Sequence, residues 1–334
     1  MMVRASIVIR TFNSGRTIRD VLEGVRSQVF DDYEVVIVDS GSTDETLSIV
    51  QEYPHTFVDY SKEKFTYGGS LNAGCAAAKG EYVVSLSSHC IPLHNQWLGR
   101  LVEVLDEDER LAGAYGQLFY DLMDYPIGGT VAIEDADLET LTKNDGIELI
   151  DLEKFKRQPN LGLGNPNSII RRELWTKRPF SREVWLEDHD WAFHFLQRGY
   201  HTAQVRGAPV HYAIPYGIYK YTQKIMQNTL GMYKQFGYQG GALSVSTRVL
   251  YQRSLRWLKA TLLGKTSLQR SRLAISIMLG RWIANKVISY RRFSSGQLDE
   301  GSGEVRILPV GSLTGEKREE PQKPYDLLAA RERR

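Results

Sequence analysis

Two short polar stretches near the start of the chain carry side chains that suit nucleotide binding. The first, Arg10-Thr11-Phe12-Asn13, follows the apolar run SIVI, and the second, Asp39-Ser40-Gly41-Ser42, follows EVVIV. A carboxylate in such a place suits a ribose hydroxyl or a base edge, and small residues leave backbone N–H groups accessible. A capped helix after a buried strand gives the same pattern. Because two successive runs end alike, the sequence favours a nucleotide pocket.

Other nucleotide and metal motifs are missing from the sequence. No GxGxxG follows the first apolar run, and Gly264-Lys265-Thr266 lacks a glycine five residues before Gly264, where the chain has Lys259. This rules out a phosphate-binding loop of the P-loop type. The chain has no CxxC pair and no HExxH, and its seven histidines show no close metal-binding spacing.

The flanking sequence predicts elements that bring the polar stretches together. Apolar runs rich in Val and Ile predict strands at Ala5–Arg10, Glu34–Asp39, Thr56–Tyr60, Tyr82–Leu86 and Leu111–Gln117. Helices are expected at Thr17–Val29, Thr43–Glu52, Ser70–Lys79 and Trp191–Arg198, with Ser42 or Thr43 as an N-cap. Alternating strands and helices form parallel β-α-β units, whose ligands bind beyond the carboxyl ends of the strands. We therefore predict an α/β fold with both polar stretches at one sheet edge.

The composition describes a folded chain whose charge is unevenly distributed. The chain has 334 residues, of which 42% are apolar, and its net charge is +2. Residues 1–210 carry 21 Lys/Arg against 32 Asp/Glu, whereas residues 211–292 carry 14 Lys/Arg and no acid. The two cysteines, Cys75 and Cys90, cannot form a disulfide framework, which fits a reducing compartment. With no signal-peptide pattern and no long apolar run, the sequence predicts a cytoplasmic protein.

The charge pattern divides the chain into predicted parts. A sheet domain is expected over residues 1–210 with a loop-rich insertion at 118–160, then a basic amphipathic helical extension at 211–292 and a mobile charged tail at 293–334. Aromatic residues interleave with the Lys/Arg of the extension, a pattern typical of helices on an anionic membrane surface. The competing interpretation is that the basic block packs on the acidic domain. No nucleic-acid signature accompanies the charge, so no nucleic acid is expected as a partner.

Several blocks, taken together, resemble a known enzyme family. They are SIVIRTFNSGRTI with VRSQVFDDYEVVIVDSGSTDET, then YGGSLNAGCAAAKGEYVVSLSSHCIPLHNQWL, GNPNSIIRRELW, VWLEDHDWAFHFLQRGY and APVHYAIPYGIYKYTQ. Their order and spacing, over roughly residues 3–236, are similar to those of inverting family 2 glycosyltransferases of the GT-A fold, in particular the rhamnosyltransferase-like branch. The resemblance implies a GT-A-type Rossmann-like mixed sheet with flanking helices. It also implies a nucleotide-diphosphate sugar as donor.

The resemblance assigns roles to residues of the donor site. It places Thr11, Asn13, Asp39 and Ser40 on the nucleotide, and it places Asn167 and Arg171 near the donor sugar or the acceptor. An equally favoured interpretation is that Arg171 lies at the solvent-exposed start of a helix. Three tryptophans are candidates for a sugar-stacking wall, although residues so spaced are more often core: Trp175, Trp185 and Trp191.

The resemblance also implies a divalent metal, Mg²⁺ or Mn²⁺, that steadies the diphosphate. The acidic motif that holds this metal in the family would follow YVVSL, but here the chain reads Ser87-Ser88-His89. The candidate metal ligands are therefore His89 and His211, which follows Pro209-Val210. The candidate diphosphate contacts are Ser88 and His89. Imidazole suits Mg²⁺ less well than carboxylate does, and His89 is equally a candidate to hydrogen-bond phosphate directly or to be structural.

The block LEDHDW supplies the predicted catalytic acids. Inversion by direct displacement needs a base on the acceptor hydroxyl, opposite the leaving diphosphate. The resemblance assigns this role to Asp188, with Glu187 orienting it or binding the acceptor and Asp190 as the alternative base. Acids at a helix N-terminus are also favoured by the helix dipole without any catalytic role.

The predicted function is transfer of one sugar to a glycan or lipid-linked acceptor in surface polysaccharide assembly. Processive synthases related to this family carry QxxRW, whereas this chain has Arg253 at the position of the glutamine. The protein is expected in the cytoplasm, or peripheral at the inner face of a membrane. The altered motif at Ser87-Ser88-His89 leaves one alternative, a non-catalytic subunit that binds sugar nucleotides. A nucleotidyltransferase is disfavoured because RTFNSGRTI is not a glycine-rich basic loop.

Overall fold

A mixed sheet runs through the molecule, which is described here from a computed structural model. The structure describes residues 3–120, 131–132, 146–213 and 218–237, with a few single positions between 255 and 283. The strands are β1 Ala5–Thr11, β2 Tyr33–Asp39, β3 Thr56–Asp59, β4 Tyr82–Ser87, β5 Cys90–Pro92, β6 Leu111–Tyr120, β7 Val131–Ala132, β8 Ile147–Ile150, β9 Asn167–Arg171 and β10 His201–Tyr212. The helices in these ranges are α1 Gly15–Arg26, α2 Thr46–Val50, α3 Tyr67–Ala77, α4 Trp97–Glu107, α5 Leu152–Arg157, α6 Arg172–Lys177, α7 Glu187–Leu196 and α8 Ile218–Phe236.

Strand directions decide which residues meet at one edge of the sheet. The order is β3-β2-β1-β4-β9-β6-β10-β5, with β7 beside β6 and β8 beside β10. Strands β1 to β4 are parallel to one another, and β6 is parallel to β10. Strand β9 lies between β4 and β6 and is antiparallel to both. Strands β5 and β8 pair antiparallel with β10. The carboxyl ends of β1, β2, β4, β6 and β10 therefore share an edge with the amino end of β9.

Helices cover both faces of the sheet because the strands alternate their apolar side chains. Ile7 and Ile9 pack with the buried faces of α1 and α4, whereas Val8 packs with α3 and α7. This is the period-2 alternation of a strand that is buried on both sides. The predicted α/β fold is confirmed.

Local capping explains where the helices next to the shared edge begin. The Oγ1 atom of Thr66 accepts a hydrogen bond from the Gly69 amide at 2.9 Å and starts α3. Helix α2 starts later than predicted, and neither Ser42 nor Thr43 caps it. The carboxylate of Asp44 instead accepts from the Thr46 amide at 3.0 Å and from the Gly15 amide at 3.0 Å, so it links the starts of α1 and α2.

The described part of the predicted basic extension packs on the sheet domain. Strand β10 runs past residue 210, and the Phe236 ring of α8 lies 5.3 Å from Phe155 and 5.6 Å from Phe193. The predicted insertion at 118–160 includes the end of β6, all of β8 and α5. Residues 121–130 and 133–145 and the predicted tail at 293–334 lie outside the described residues. No helix among those described is both long and apolar enough to cross a membrane.

Gly116 on β6 has no room for a side chain, which gives a test of the packing between β6, β9 and β10. A Cβ atom there would overlap the Ala208 carbonyl oxygen and the Asn167 Nδ2 atom. We expect Gly116→Ala to lower the free energy of unfolding by about 1–3 kcal/mol, because neither neighbour is the free end of a flexible side chain. Urea denaturation of the purified protein measures this change.

The matched control for this variant is Gly99→Ala in α4. A Cβ there would meet only the Phe30 Cβ atom at 3.7 Å, an ordinary contact. Since alanine favours a helix over glycine, the control should be neutral or more stable by up to about 1 kcal/mol. Equal stability of the two variants would contradict the packing described here.

Candidate active site

The loops after β1, β2 and β4 are hydrogen-bonded to one another at the shared edge. The Asn13 side-chain oxygen accepts from the Thr43 amide at 2.8 Å, which joins the first loop to the second. The hydroxyls of Ser14 and Ser88 lie 2.8 Å apart, which joins the first loop to the third. Asn13 holds the left-handed conformation, with φ of 49°, that this short bridge requires. The structure thus brings together three of the predicted polar stretches.

Asp39 is the most heavily hydrogen-bonded side chain of these loops. Its Oδ1 atom accepts from the Thr11 hydroxyl at 2.8 Å and the Ser42 hydroxyl at 2.5 Å. Its Oδ2 atom accepts from the backbone amides of Gly41 at 2.9 Å and Ser42 at 2.8 Å. Ser40 is buried, and its amide donates to the Thr11 carbonyl at 3.0 Å. The carboxylate therefore fixes the turn after β2, and Thr11 and Ser40 support it from within.

His89 lies directly after β4 and has an unusual environment. Its ring contacts the Tyr212 ring edge-on, with 4.7 Å between centroids, and its Nε2 atom is buried without a hydrogen-bond partner in the described residues. Burial, together with the positive charges of Lys224 and Arg10, lowers the His89 pKa to about 3. The imidazole is thus neutral near pH 7 and keeps one ring nitrogen available.

The metal site implied by the family was tested against the side chains at this edge. Ser87-Ser88-His89 offers no carboxylate, and the described ranges contain no group of three or more His, Cys, Asp or Glu side chains that could hold a metal ion. His211 lies on β10 and pairs with Ile91 of β5, two residues after His89. These donors do not fit a divalent metal held by protein side chains, and no step below depends on one.

Glu187 and Asp188 open α7 and face the loop before β9. The Asn165 side-chain amide donates to Glu187 Oε1 at 2.9 Å, and the Asn165 backbone amide donates to Asp188 Oδ2 at 3.0 Å. Asp188 Oδ1 also accepts from the His189 amide at 2.9 Å and lies 2.8 Å from His189 Nδ1. Two adjacent acids are therefore held in fixed positions by one asparagine and one histidine.

The two acids differ in protonation because their surroundings differ. Burial and the neighbouring charge of Asp188 raise the Glu187 pKa to about 7, and Arg10, 4.0 Å away, only partly offsets this. Burial opposes the charge on Asp188 too, but the His189 imidazole and the amides of Asn165 and His189 outweigh it and lower the Asp188 pKa. Near neutral pH the site thus holds an ionised Asp188 beside a Glu187 that titrates.

Asp190, the alternative base in the sequence-based prediction, has a structural role. It is 4% exposed, and its carboxylate accepts from the Arg178 guanidinium at 2.9 Å. Arg178 in turn accepts at its carbonyl oxygen from Trp191 Nε1 at 2.8 Å. The side chain is on α7 with the other two acids but is paired away from Asn165, so we exclude it as the base.

Arg171 does not lie at the donor site, and its sequence-based assignment is corrected. Asn167 begins β9 at the shared edge, but its side chain is buried in contacts with the protein, and its assignment stays a prediction. Asn167 is 1% exposed, accepts from Trp97 Nε1 at 2.9 Å and donates to the Ala208 carbonyl at 2.9 Å. Arg171 lies opposite Tyr82, at the far end of β4, and donates to carbonyl oxygens of Leu105, Asp108 and Leu111. The reason is strand direction: β9 is antiparallel, so Arg171 points to the edge opposite the site.

The three tryptophans do not form a wall. Trp191 is fully buried in the core below α3. Trp175 donates to Asn72 at 2.9 Å, and Trp185 donates to Asn228 at 2.7 Å while its ring meets Tyr67 edge-on at 5.2 Å. Trp185 is linked to Glu187 by a chain of contacts: its ring meets Tyr67, the Arg10 guanidinium stands over the Tyr67 ring, and Arg10 lies 4.0 Å from Glu187.

Four side chains of the site were missed by the sequence analysis. They are Arg10, Asn165, His189 and Lys224. Arg10, Asn165 and His189 each lie inside a stretch that the sequence analysis named, but none of them was assigned a role of its own there. Lys224 lies on α8, and no sequence signal places it beside β4.

The raised pKa of Glu187 predicts how stability depends on pH. The pKa of Glu187 is higher in the folded protein than in the unfolded chain. Its contribution to the free energy of unfolding is therefore fully present below about pH 4.5 and is lost as the pH rises through about 7. We expect Glu187→Gln, which cannot ionise, to gain on the wild type by about 1–3 kcal/mol more at pH 8 than at pH 5. Urea unfolding at both pH values measures the difference.

Glu173→Gln on α6 is the control for this pH comparison. Glu173 is exposed, so its replacement should show no such difference between pH 5 and pH 8. An identical effect of Glu187→Gln at both pH values would show that Glu187 ionises normally in the folded protein.

Comparison with known proteins identifies the family of the chain. Residues 6–172 match the family described as Glycosyl transferase family 2. An uncharacterized glycosyltransferase of Nostoc sp. is 32% identical over 111 residues, which are 32% of this chain and 34% of that protein. The chain thus aligns with about a third of the length of this curated relative.

Two solved structures share the fold. The mannosyltransferase PcManGT from Pyrobaculum calidifontis, solved with GDP-Man and Mn²⁺, has a TM-score of 0.58 at 17% identity, over 86% of this chain and 87% of that one. Residues 1–349 of TarS from S. aureus give 0.52 at 17% identity, over 88% and 92%. The predicted GT-A fold is thereby confirmed, while the rhamnosyltransferase-like branch stays a prediction. By its match over residues 6–172, the chain belongs to glycosyl transferase family 2.

Proposed function

We propose that this protein is an inverting glycosyltransferase that moves one sugar from a nucleoside-diphosphate sugar to a hydroxyl acceptor, with Asp188 as the general base. The observation that carries the proposal is the acid pair at the start of α7, a buried Glu187 and a partly exposed Asp188, held by Asn165 beside the hydrogen-bonded loops of β1, β2 and β4. A nucleotide on those loops would have its diphosphate near the end of β4 and its sugar toward α7.

The proposed reaction is a single displacement at the anomeric carbon. The acceptor oxygen attacks that carbon while its proton passes to the Asp188 carboxylate. The bond from the carbon to the diphosphate oxygen breaks, and the nucleoside diphosphate leaves with the electron pair. Attack from the face opposite the leaving group inverts the anomeric configuration.

Asp188 has the properties that this step requires of a base. Its pKa is held low, so it is ionised at neutral pH, and the described residues supply three hydrogen bonds to its two oxygens. A carboxylate has about four lone-pair sites, which leaves one for an acceptor hydroxyl. His189 fixes the orientation and charge of the carboxylate. It is a positioning residue.

Glu187 is proposed to bind the acceptor or a sugar hydroxyl beside Asp188. Its carboxyl group is 4% exposed and lies between Asn165 and Arg10. Since its pKa is raised to about 7, it exists in both forms near neutral pH and can accept or donate a hydrogen bond. A base role for Glu187 is less favoured because burial and the charge of Asp188 raise its pKa and so favour the protonated form.

Donor and acceptor classes are proposed from the relatives. TarS has been solved with UDP, and PcManGT with GDP-Man and Mn²⁺, so a nucleoside-diphosphate sugar is the proposed donor. A curated relative from S. aureus, 33% identical over 93 residues, is a poly(ribitol-phosphate) beta-N-acetylglucosaminyltransferase. A glycan or lipid-linked acceptor in surface polysaccharide assembly, in the cytoplasm or at the inner membrane face, is proposed on this basis.

Replacement of the base tests the proposal. We expect Asp188→Asn to lower kcat by about 10²–10⁴-fold, because the amide cannot take the acceptor proton, while nucleotide binding is retained. Transfer is measured with the donor that a thermal-shift screen of nucleotide sugars identifies, and binding is measured by calorimetry on the same preparations.

Asp190→Asn, two residues away on the same helix, is the matched control. It should lose about 1–3 kcal/mol of stability as Arg178 loses its charged partner, yet keep the turnover of the folded molecules. Wild-type turnover by Asp188→Asn would overturn the assignment. If the wild type itself binds a nucleotide sugar and transfers nothing to any acceptor, the non-catalytic subunit is supported instead.

A further inference from the structure

Three nitrogen-bearing side chains from different parts of the chain approach the end of β4. Arg10 is the register partner of Ser87, at the last paired position between β1 and β4. His89 follows Ser87 by two residues in the loop after β4. Lys224, on α8, approaches Tyr212, whose ring contacts His89. By the family resemblance, the loop after β4 is where an acidic metal motif is expected, and this chain has Ser87-Ser88-His89 there.

Lys224 is linked to His89 through one aromatic ring. Its Nζ atom donates to the Tyr212 hydroxyl at 3.0 Å and lies 5.7 Å from the centre of that ring. The same ring packs against the His89 imidazole, with 4.7 Å between centroids. Tyr212 is 3% exposed, so it is a fixed support that both the ammonium group and the imidazole contact.

His89 carries a ring nitrogen that the described protein leaves unsatisfied. Nε2 is buried and has no hydrogen-bond partner in the described residues. A buried polar atom without a partner costs roughly 1–3 kcal/mol, so such an atom marks a place where a ligand can supply the missing bond. A neutral imidazole can donate that hydrogen bond to a phosphate oxygen without carrying a charge itself.

Arg10 adds a second cation with donors to spare. One of its guanidinium nitrogens donates to the Tyr67 carbonyl at 3.0 Å and lies 4.0 Å from Glu187 Oε1. The guanidinium stands over the Tyr67 ring, 5.7 Å from its centre, which fixes its plane. Because an arginine has five N–H donors, these contacts leave donors for a further oxygen ligand.

We propose that Arg10, His89 and Lys224 bind the diphosphate of the donor directly, and that this cationic site takes the place of the divalent metal of related enzymes. The inference rests on the proposed function, whose leaving group is a nucleoside diphosphate. The negative charge that develops on that group needs positive partners, and arginine and lysine side chains supply them as a metal ion does. Helix α8 of the basic block thereby gives the active site a cation.

Calorimetry on the full chain tests the inference. The probes are UDP and GDP, each compared with UMP and GMP, in buffer with EDTA and in buffer with Mn²⁺. We expect the diphosphate that binds to do so in EDTA with the same affinity as in Mn²⁺. Lys224→Gln should weaken the diphosphate by about tenfold or more and the monophosphate much less, since one charged hydrogen bond to the outer phosphate is lost.

Two further variants keep the test decisive. Lys234→Gln, an exposed lysine on the same helix, should bind like the wild type, and His89→Ala should weaken the diphosphate even if it also lowers the melting temperature. Each variant is compared at a temperature where its circular dichroism matches the wild type. Wild-type affinity in both Lys224→Gln and His89→Ala would overturn the inference.

The outcomes separate this inference from the proposed function. Diphosphate binding that appears only with Mn²⁺ and does not depend on Lys224 would contradict the inference and leave the glycosyltransferase proposal standing. If neither UDP nor GDP binds under any of these conditions, the proposed function fails and the inference fails with it.

Discussion

Parallel pairing of β1, β2 and β4 is the constraint on which the site depends. It places three chain reversals side by side, and the loops that make them carry buried polar groups that must be hydrogen-bonded. The Asp39 carboxylate meets much of that need with four hydrogen bonds. Asn13 joins the loop after β1 to the Asp39 loop, and Ser14 joins it to Ser88 in the loop after β4. A pre-formed polar surface at the edge of the sheet results, and it is rigid because each loop is held by another.

The acid pair of α7 extends that surface toward the reacting atoms. Glu187 and Asp188 are adjacent and largely shielded from solvent, so they cannot both ionise freely. Most of the hydrogen bonds that stabilise a negative charge go to Asp188. Asn165 is central because it contacts both acids and sits just before β9, the antiparallel strand beside β4. The cost of burying Glu187 beside an ionised Asp188 is expected where a base must be fixed in position.

The sequence predicted the fold well and the site in part, for physical reasons. Strand periodicity and the polar residues after β1 and β2 report the parallel sheet directly, so Thr11, Asn13 and Asp39 were placed at one edge. Arg171 was misplaced because nothing in its local sequence shows that β9 runs antiparallel to β4. Asp190 shares its residue type and helix with Asp188, and their hydrogen-bond partners distinguish them: Arg178 for Asp190, Asn165 and His189 for Asp188. Lys224 depends on tertiary packing, which no periodicity encodes.

The account of the basic block changes most with the structure. Its sequence suggested a membrane surface or contact with the acidic domain, and in the described part α8 packs on the sheet domain with Lys224 beside Tyr212. A crystal structure of the full chain with the nucleoside diphosphate that binds it best, grown in EDTA, tests the central claim most directly. The account predicts the diphosphate at the end of β4, within hydrogen-bond distance of His89 Nε2, and Asp188 facing the space for the sugar. A nucleotide bound away from the loops of β1, β2 and β4 would contradict it.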